Sequence, residues 1–122
     1  MIDLMGGWEV MRPIVDRHET DWGKRKYTYI WRQKNFDPIS HDAQFAIDFK
    51  FPDGRKQKDV FTYDWRIWML PELRDLMSEA GFKKTFVYWE GDDKNGEGTG
   101  EFSQVDKQEN CEVWIGYLVA KK

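Results

Sequence analysis

Residues Lys58 to Phe82 read K-D-V-F-T-Y-D-W-R-I-W-M-L-P-E-L-R-D-L-M-S-E-A-G-F, and the change of period inside this stretch decides the fold. Tyr63-Asp64-Trp65-Arg66 has the aromatic character of a strand. The chain then turns at Met69-Leu70-Pro71, and a helix follows over Leu70 to Ala80. Leu73, Leu76, Met77 and Ala80 fall at i, i+3, i+4 and i+7, which places them on one stripe. Pro71 suits the first helical turn, where its missing N–H is not needed. Gly81 suits the position just past the end, where φ turns positive. Phe82 is then placed to fold back on the last turn.

Upstream, Tyr27 to Gln33 alternates. Tyr27, Tyr29 and Trp31 share one face, and Thr28, Ile30 and Arg32 share the other. Asn35-Phe36-Asp37-Pro38 carries turn chemistry. Ala43, Phe45, Ile47, Phe49 and Phe51 form a second period-two face. Phe51-Pro52-Asp53-Gly54-Arg55 is a hairpin turn, with Pro presetting φ and Gly free to take φ > 0. Pairing Phe49 with Gln57 puts Phe45 opposite Phe61, Ala43 opposite Tyr63 and Asp48 opposite Lys58. Tyr27 to Arg66 therefore reads as an antiparallel meander of about three strands with one aromatic face.

Further out, Ile2 to Met5 looks like the tail of a buried strand ahead of Gly6-Gly7. Trp8 to Glu19 has room for a short helix, interrupted by Pro13. Thr85 to Trp89 reads as an apolar strand. Glu90 to Glu101 is acidic and glycine-rich and reads as a loop. Val113 to Ala120 is apolar on both faces, as a central strand is. With no repeat, linker or composition break, the expectation is one domain over residues 1–122.

Composition narrows the function classes. Aromatics make up 16% of 122 residues, with seven Trp, enough to bury a core without covalent staples. Net charge is −3 and the pI about 5.4, so there is no basic footprint for nucleic acid. Lys24-Arg25-Lys26 is a short basic run and reads as the solvated start of a strand. A single cysteine, Cys111, forbids an internal disulfide and fits a reducing compartment. No leader pattern and no run of roughly 20 apolar residues is present, so the expectation is a cytoplasmic protein with no membrane partner.

Several chemical motifs fail on spacing. Gly96-Glu97-Gly98-Thr99-Gly100 imitates a nucleotide loop, but Glu101-Phe102-Ser103-Gln104-Val105-Asp106 follows without a helical period. Five carboxylates between Glu90 and Glu101 would repel phosphate, and their spacing is wrong for an EF-hand. His18, His41 and Cys111 are scattered, so no metal site is expected. Cys111 reads as a small core residue rather than a nucleophile. Asp37, Asp64 and Glu90 do not mark an acid/base pair, and no catalytic residue is assigned. Arg66, set among Tyr63, Trp65 and Trp68, has two readings. One is a clamp for an anionic or polar substrate; the other is a salt bridge to Asp64 or Glu72, or stacking that fills the sheet. The face of Tyr27, Tyr29 and Trp31 either lines a pocket for a planar or methylated-amine ligand or packs against the helix or another sheet.

Taken in order, six strings carry a family resemblance. They are I-D-L-M-G-G-W-E, Y-T-Y-I-W-R-Q-K-N-F-D-P-I, F-P-D-G-R, F-T-Y-D-W-R-I-W-M-L-P-E-L-R-D-L-M-S-E-A-G-F, V-Y-W-E-G-D-D-K-N-G-E-G-T-G-E-F and W-I-G-Y-L-V-A-K-K. Together they resemble the C-terminal half of a bacterial group of class I S-adenosylmethionine-dependent methyltransferases. The resemblance implies an α+β fold: the aromatic meander plus the strand 5–helix–strand 6–strand 7 portion of a Rossmann-like methyltransferase sheet. In such a sheet Ile2 to Met5 is strand 5, Thr85 to Trp89 strand 6, and Val113 to Ala120 an antiparallel strand 7. The meander becomes an insertion over the substrate, with Tyr29, Trp31, Tyr63 and Arg66 as substrate-binding residues.

This sequence departs from the family at two points. Met69 stands where the family caps the helix with Thr. The cofactor half, with its glycine-rich loop and ribose-binding acidic residue, has no counterpart. The implied function is a methyltransferase C-terminal or substrate-cover module, inactive alone, that takes S-adenosylmethionine only when paired with the missing half. The implied partners are that half or a second copy of the chain, together with a small-molecule substrate. An exposed edge on strand 5 favours self-association. The alternative is a standalone, non-catalytic small-molecule-binding or dimerisation domain.

Overall fold

The computed structural model describes all 122 residues except for the side chain of Trp22. In chain order the elements are β1 (Ile2–Gly6), a single 3-10 turn (Trp8–Met11), β2 (Ile14–Trp22), β3 (Arg25–Phe36), β4 (Asp42–Lys50) and β5 (Lys56–Arg66). Then come α1 (Leu70–Glu79), β6 (Lys84–Asp92), β7 (Gly98–Val105) and β8 (Trp114–Lys121). They form two compact units: Met11–Ile67, and Met1–Val10 together with Trp68–Lys122.

The Met11–Ile67 unit is one antiparallel sheet in the order β2-β3-β4-β5. The hairpin at 51–55 closes as its sequence dictates. The Phe51 N–H donates to the Arg55 carbonyl at 2.9 Å, the Gly54 N–H donates to the Phe51 carbonyl at 3.0 Å, and Gly54 has φ +88°. Phe49 faces Gln57, as the turn predicts, but beyond that point the expected register fails. Phe45 pairs with Tyr63 and Ala43 with Trp65, two residues further along β5. Lys58, Asp59 and Val60 bulge opposite the single residue Asp48, and Asp59 takes φ +55°. A slip of two residues leaves every side chain on its expected face.

The fourth strand of this sheet, β2, lies where a short helix was expected. The 3-10 segment covers only Trp8–Met11; beyond Pro13 the chain runs extended, with nine successive pairs to β3 from Ile14–Gln33 to Trp22–Arg25. I-V-D-R-H-E-T-D-W carries only two apolar residues at its start. A polar edge strand is held by its backbone ladder rather than by an apolar face.

The other unit is a second antiparallel sheet, β1-β8-β6-β7. Ile2–Gly6, Lys84–Asp92 and Trp114–Lys121 do form strands, with β8 between β1 and β6 and antiparallel to both. The expected Rossmann-like sheet is nevertheless overturned. The chain is mainly antiparallel β, with two four-stranded sheets and one ten-residue α-helix among the described residues. The glycine-rich stretch is part of the difference. Instead of a loop it forms the β6–β7 hairpin, in which Asp93 Oδ1 accepts the Asn95 and Glu97 N–H groups at 2.7 and 3.0 Å.

Helix α1 ends as its sequence predicts. The Phe82 N–H reaches the Met77 carbonyl and the Gly81 N–H the Ser78 carbonyl, both at 3.0 Å, with Gly81 at φ +92°. Met69 is the N-cap residue, and its N–H donates to Glu72 Oε1 at 2.8 Å. The expected apolar stripe is only partly buried: Leu73 is inside, whereas Leu76 is exposed.

Gly6-Gly7 is a packing requirement. A Cβ on Gly6 would meet the Trp114 ring at 2.2 Å, and one on Gly7, at φ +107°, would meet the Glu112 carbonyl oxygen at 2.2 Å. The same backbone approach lets the Trp8 and Glu9 N–H groups reach the Cys111 and Glu112 carbonyls.

Candidate functional site

Strand alternation and cross-strand pairing sort the Met11–Ile67 sheet into two chemically distinct faces. Tyr29, Trp31 and Tyr63, expected to meet a substrate, lie on one face. The rings there form a continuous layer. Trp31 stacks on Phe45 at 5.2 Å, Phe45 meets Trp65 at 5.3 Å, and Tyr63 meets Trp65 at 4.5 Å. Trp31 also lies 6.3 Å from Tyr63. Phe45 is almost wholly buried and anchors the layer, while Trp65 is 41% exposed.

Trp31 is held from behind. Its indole N–H donates to Gln33 Oε1 at 3.3 Å, and the buried Gln33 amide donates to the Arg12 carbonyl at 2.8 Å. That chain of bonds fixes the ring plane. Burial, then the nearby Tyr63, push the Tyr29 hydroxyl above its ordinary value of 10.0, so it stays protonated at neutral pH. Phe49 continues the layer towards Tyr27, at 6.1 Å from Tyr29 and 5.5 Å from Tyr27.

Two polar residues of this face lie on β2, outside the aromatic alternation visible in the sequence. Asp16 is paired with Trp31 and His18 with Tyr29. Asp16 Oδ2 lies 2.9 Å from His18 Nε2, and the His18 ring is 6.4 Å from that of Tyr29. Strand spacing of two residues brings both side chains to one side. The i, i+2 pattern Asp16-x-His18 was the available signal once β2 is recognised as a strand.

Arg66 is not part of this layer. It follows Trp65 in β5 and pairs with Asp42, so it belongs to the opposite face. There it lines a polar concavity of about 780 Å³ with Asn35, Asp42, Gln44 and Asp64. Asp64 accepts a hydrogen bond from the Gln44 amide at 2.9 Å.

The centre of that opposite face is a charge network. Asp48 is fully buried, and Arg32 forks onto it, with Nε to Oδ2 and Nη2 to Oδ1 both at 2.9 Å. The Asp59 N–H, aimed inward by the bulge, donates to Asp48 Oδ1 at 2.8 Å. Arg32 also binds the Asp59 carboxylate, Lys34 lies 3.5 Å from Asp59, and Lys56 lies 3.8 Å from Asp48. Desolvation pushes the Asp48 carboxyl up, but the Arg32 guanidinium, the Asp59 amide and Lys56 together hold it below its ordinary value. A fully partnered carboxylate of this kind organises backbone; it is not a base in waiting.

The remaining chemical candidates resolve into structure. Glu90 Oε1 accepts the Gly100 N–H at 2.8 Å, so the G-x-G-x-G stretch serves a hairpin, not a helix N-terminus. Burial and the charges of Asp92 and Glu112 push the Cys111 thiol above its ordinary value, and its S–H points to the Val113 carbonyl at 3.4 Å. Among the described residues no group of three or more His, Cys, Asp or Glu side chains is arranged to hold a metal ion. Among the described residues no helix is long and apolar enough to cross a membrane. Searches against protein-family models, curated proteins and solved structures found no match to this chain.

Proposed function

We propose that this chain is the substrate-binding module of a methyl-transfer enzyme whose S-adenosylmethionine site belongs to a separate half. The aromatic face of Met11–Ile67 receives the small-molecule substrate. The observation that carries the reading is the ring layer of Trp31, Phe45, Tyr63 and Trp65, with Trp31 locked through Gln33. The methyltransferase-like strings in the sequence support the reaction class, and they no longer carry an expected sheet topology. Arg66 drops out of the substrate contacts because it is on the other face.

Ring faces attract cations and flat groups, and Asp16 adds a carboxylate beside Trp31. A planar or methylated-amine substrate matches that surface. The module's contribution to transfer would be alignment and exclusion of water, with no residue of this chain acting as a base. The glycine-rich turn is occupied with its own hairpin, which supports placing the cofactor elsewhere.

Two titrations test this. Calorimetry with S-adenosylmethionine and the isolated chain should give no micromolar binding; a micromolar constant overturns the division into halves. Benzyltrimethylammonium should quench the tryptophan fluorescence, and Trp31→Leu should abolish the response. An unchanged spectrum in the parent chain overturns the aromatic site. A second reading, a standalone non-catalytic binding domain, is favoured by the completeness of the ring layer within residues 11–67. It predicts ligand binding that no added cofactor half strengthens.

A further inference from the structure

The basic run Lys24-Arg25-Lys26 plays no part in the reading above, and the sheet gives it neighbours that the sequence does not. Lys24 is the second residue of the two-residue turn Gly23-Lys24, and Arg25 and Lys26 open β3. The other hairpin tip at the same end of the sheet is 51–55, because β3 and β4 pair from Thr28–Lys50 onward. Between the two tips is an open cavity of about 620 Å³, a size suited to a small ligand. Tyr27, Phe49, Phe51 and Pro52 form its apolar walls. Tyr27 and Phe49 meet edge to face at 5.5 Å.

The rim of this cavity is cationic in a chain whose net charge is −3. Lys24, Arg25, Lys26 and Arg55 face the single carboxylate of Asp53. That carboxylate is already engaged: Asp53 Oδ2 accepts Arg55 Nε at 2.6 Å, and Oδ1 accepts the Arg55 N–H at 3.0 Å. The Arg55 guanidinium lies over the Phe51 ring at 5.4 Å, which fixes it as part of the wall. Among the described residues none forms an ion pair with Lys24, Arg25 or Lys26. Lys26 has Asp21 as its cross-strand partner, which leaves Lys24 and Arg25 as the cations beside the ring-lined hollow, complementary to a flat molecule carrying a negative charge.

We propose that this hairpin-end cavity binds a planar aromatic carboxylate, with the ring against Tyr27 and Phe49 and the carboxylate held by Lys24 and Arg25. The site is two strand repeats from Trp31 and carries the opposite charge to the Asp16 end of the face. It therefore stands or falls separately from the methyl-transfer reading.

The test is chemical-shift mapping of the whole chain with 2-naphthoate, 2-naphthylmethylammonium and inorganic phosphate. Naphthoate should move the amides of residues 24–27 and 49–55, and its affinity should fall at least tenfold in Lys24→Glu/Arg25→Glu and weaken as salt rises. Equal binding of the ammonium analogue, or shifts centred elsewhere, overturns the proposal. Phosphate shifting the same amides with equal affinity overturns the role of the rings. A Tyr27→Leu variant that binds naphthoate undiminished does so too. The comparison among probes is made on the unaltered chain, so it remains decisive whatever the variants do to folding.

Discussion

Asp48→Ala removes the acceptor on which three strands converge. The Asp48 side chain is fully buried and receives two bonds from Arg32 and one from the Asp59 amide. Deleting one partner of a buried ion pair costs about 3–5 kcal/mol. Arg32 is 18% exposed and keeps the Asp59 carboxylate, which places its share near the lower end of that range. The orphaned Asp59 N–H adds about 1 kcal/mol. A loss of about 3–4 kcal/mol is expected. Urea unfolding reads it without screening charge, and with a slope of about 1.5 kcal/mol/M the midpoint should fall by about 2 M.

The companion variant Arg32→Met/Asp48→Leu leaves no buried charge. It should lose only about 1–2 kcal/mol, chiefly through the same orphaned amide. The sign with pH follows from the lowered carboxyl. Its stabilisation is complete above the ordinary value of 3.8 and is lost as pH falls through the lower folded value. The gap between the parent chain and Asp48→Ala should therefore be full at about pH 6 and narrow as pH falls below the ordinary carboxylate range, because a protonated Asp48 keeps its hydrogen bonds but not its charge. If Asp48→Ala loses less than about 1 kcal/mol, or the double variant falls as far as the single one, the network is a surface ornament and the reasoning fails.

Three further outcomes can be measured. Phe45→Ala empties the anchor of the ring layer and should cost about 3–5 kcal/mol by urea unfolding, with a changed tryptophan emission maximum. Gly7→Ala forces a Cβ into the Glu112 carbonyl at positive φ, so hydrogen exchange should accelerate at the Trp8 and Glu9 amides. Cys111, its thiol pushed up by burial and by neighbouring carboxylates, should react with iodoacetamide at pH 7.5 about fivefold or more slower than glutathione; an equal rate contradicts the assignment.

What was legible in the sequence was local. Pro52, Asp53 and Gly54 fix a turn by their own backbone preferences, and Gly81 with Phe82 fixes a helix end. Both appear as read. The shared face of Tyr29, Trp31 and Tyr63 followed from period two, and the two-residue slip preserved it. Elements held by long-range pairing were not legible. β2 has almost no apolar signal, and β7 hides its alternation among glycines and carboxylates, so each is defined by the strand beside it. The bulge depends on Asp48 drawing in an amide eleven residues away, which no local window contains. Arg66 was misgrouped for a simpler reason: it pairs with Asp42 and alternates with Tyr63 and Trp65, so it stands on the face away from the ring layer.

The two irregularities of this sheet differ in parity. Between β3 and β4 the pairing slips by one residue at Lys34, and Phe36 is carried round to pair with Ala43. Between β4 and β5 it slips by two, and the order of faces is undisturbed. The chain near Asp59 can therefore lengthen or shorten in steps of two without inverting Tyr63 and Trp65, whereas a single inserted residue would exchange the aromatic surface for Thr62 and Asp64. Descendants of this fold should vary in length at that point by even numbers, a rule imposed by the pleat alone.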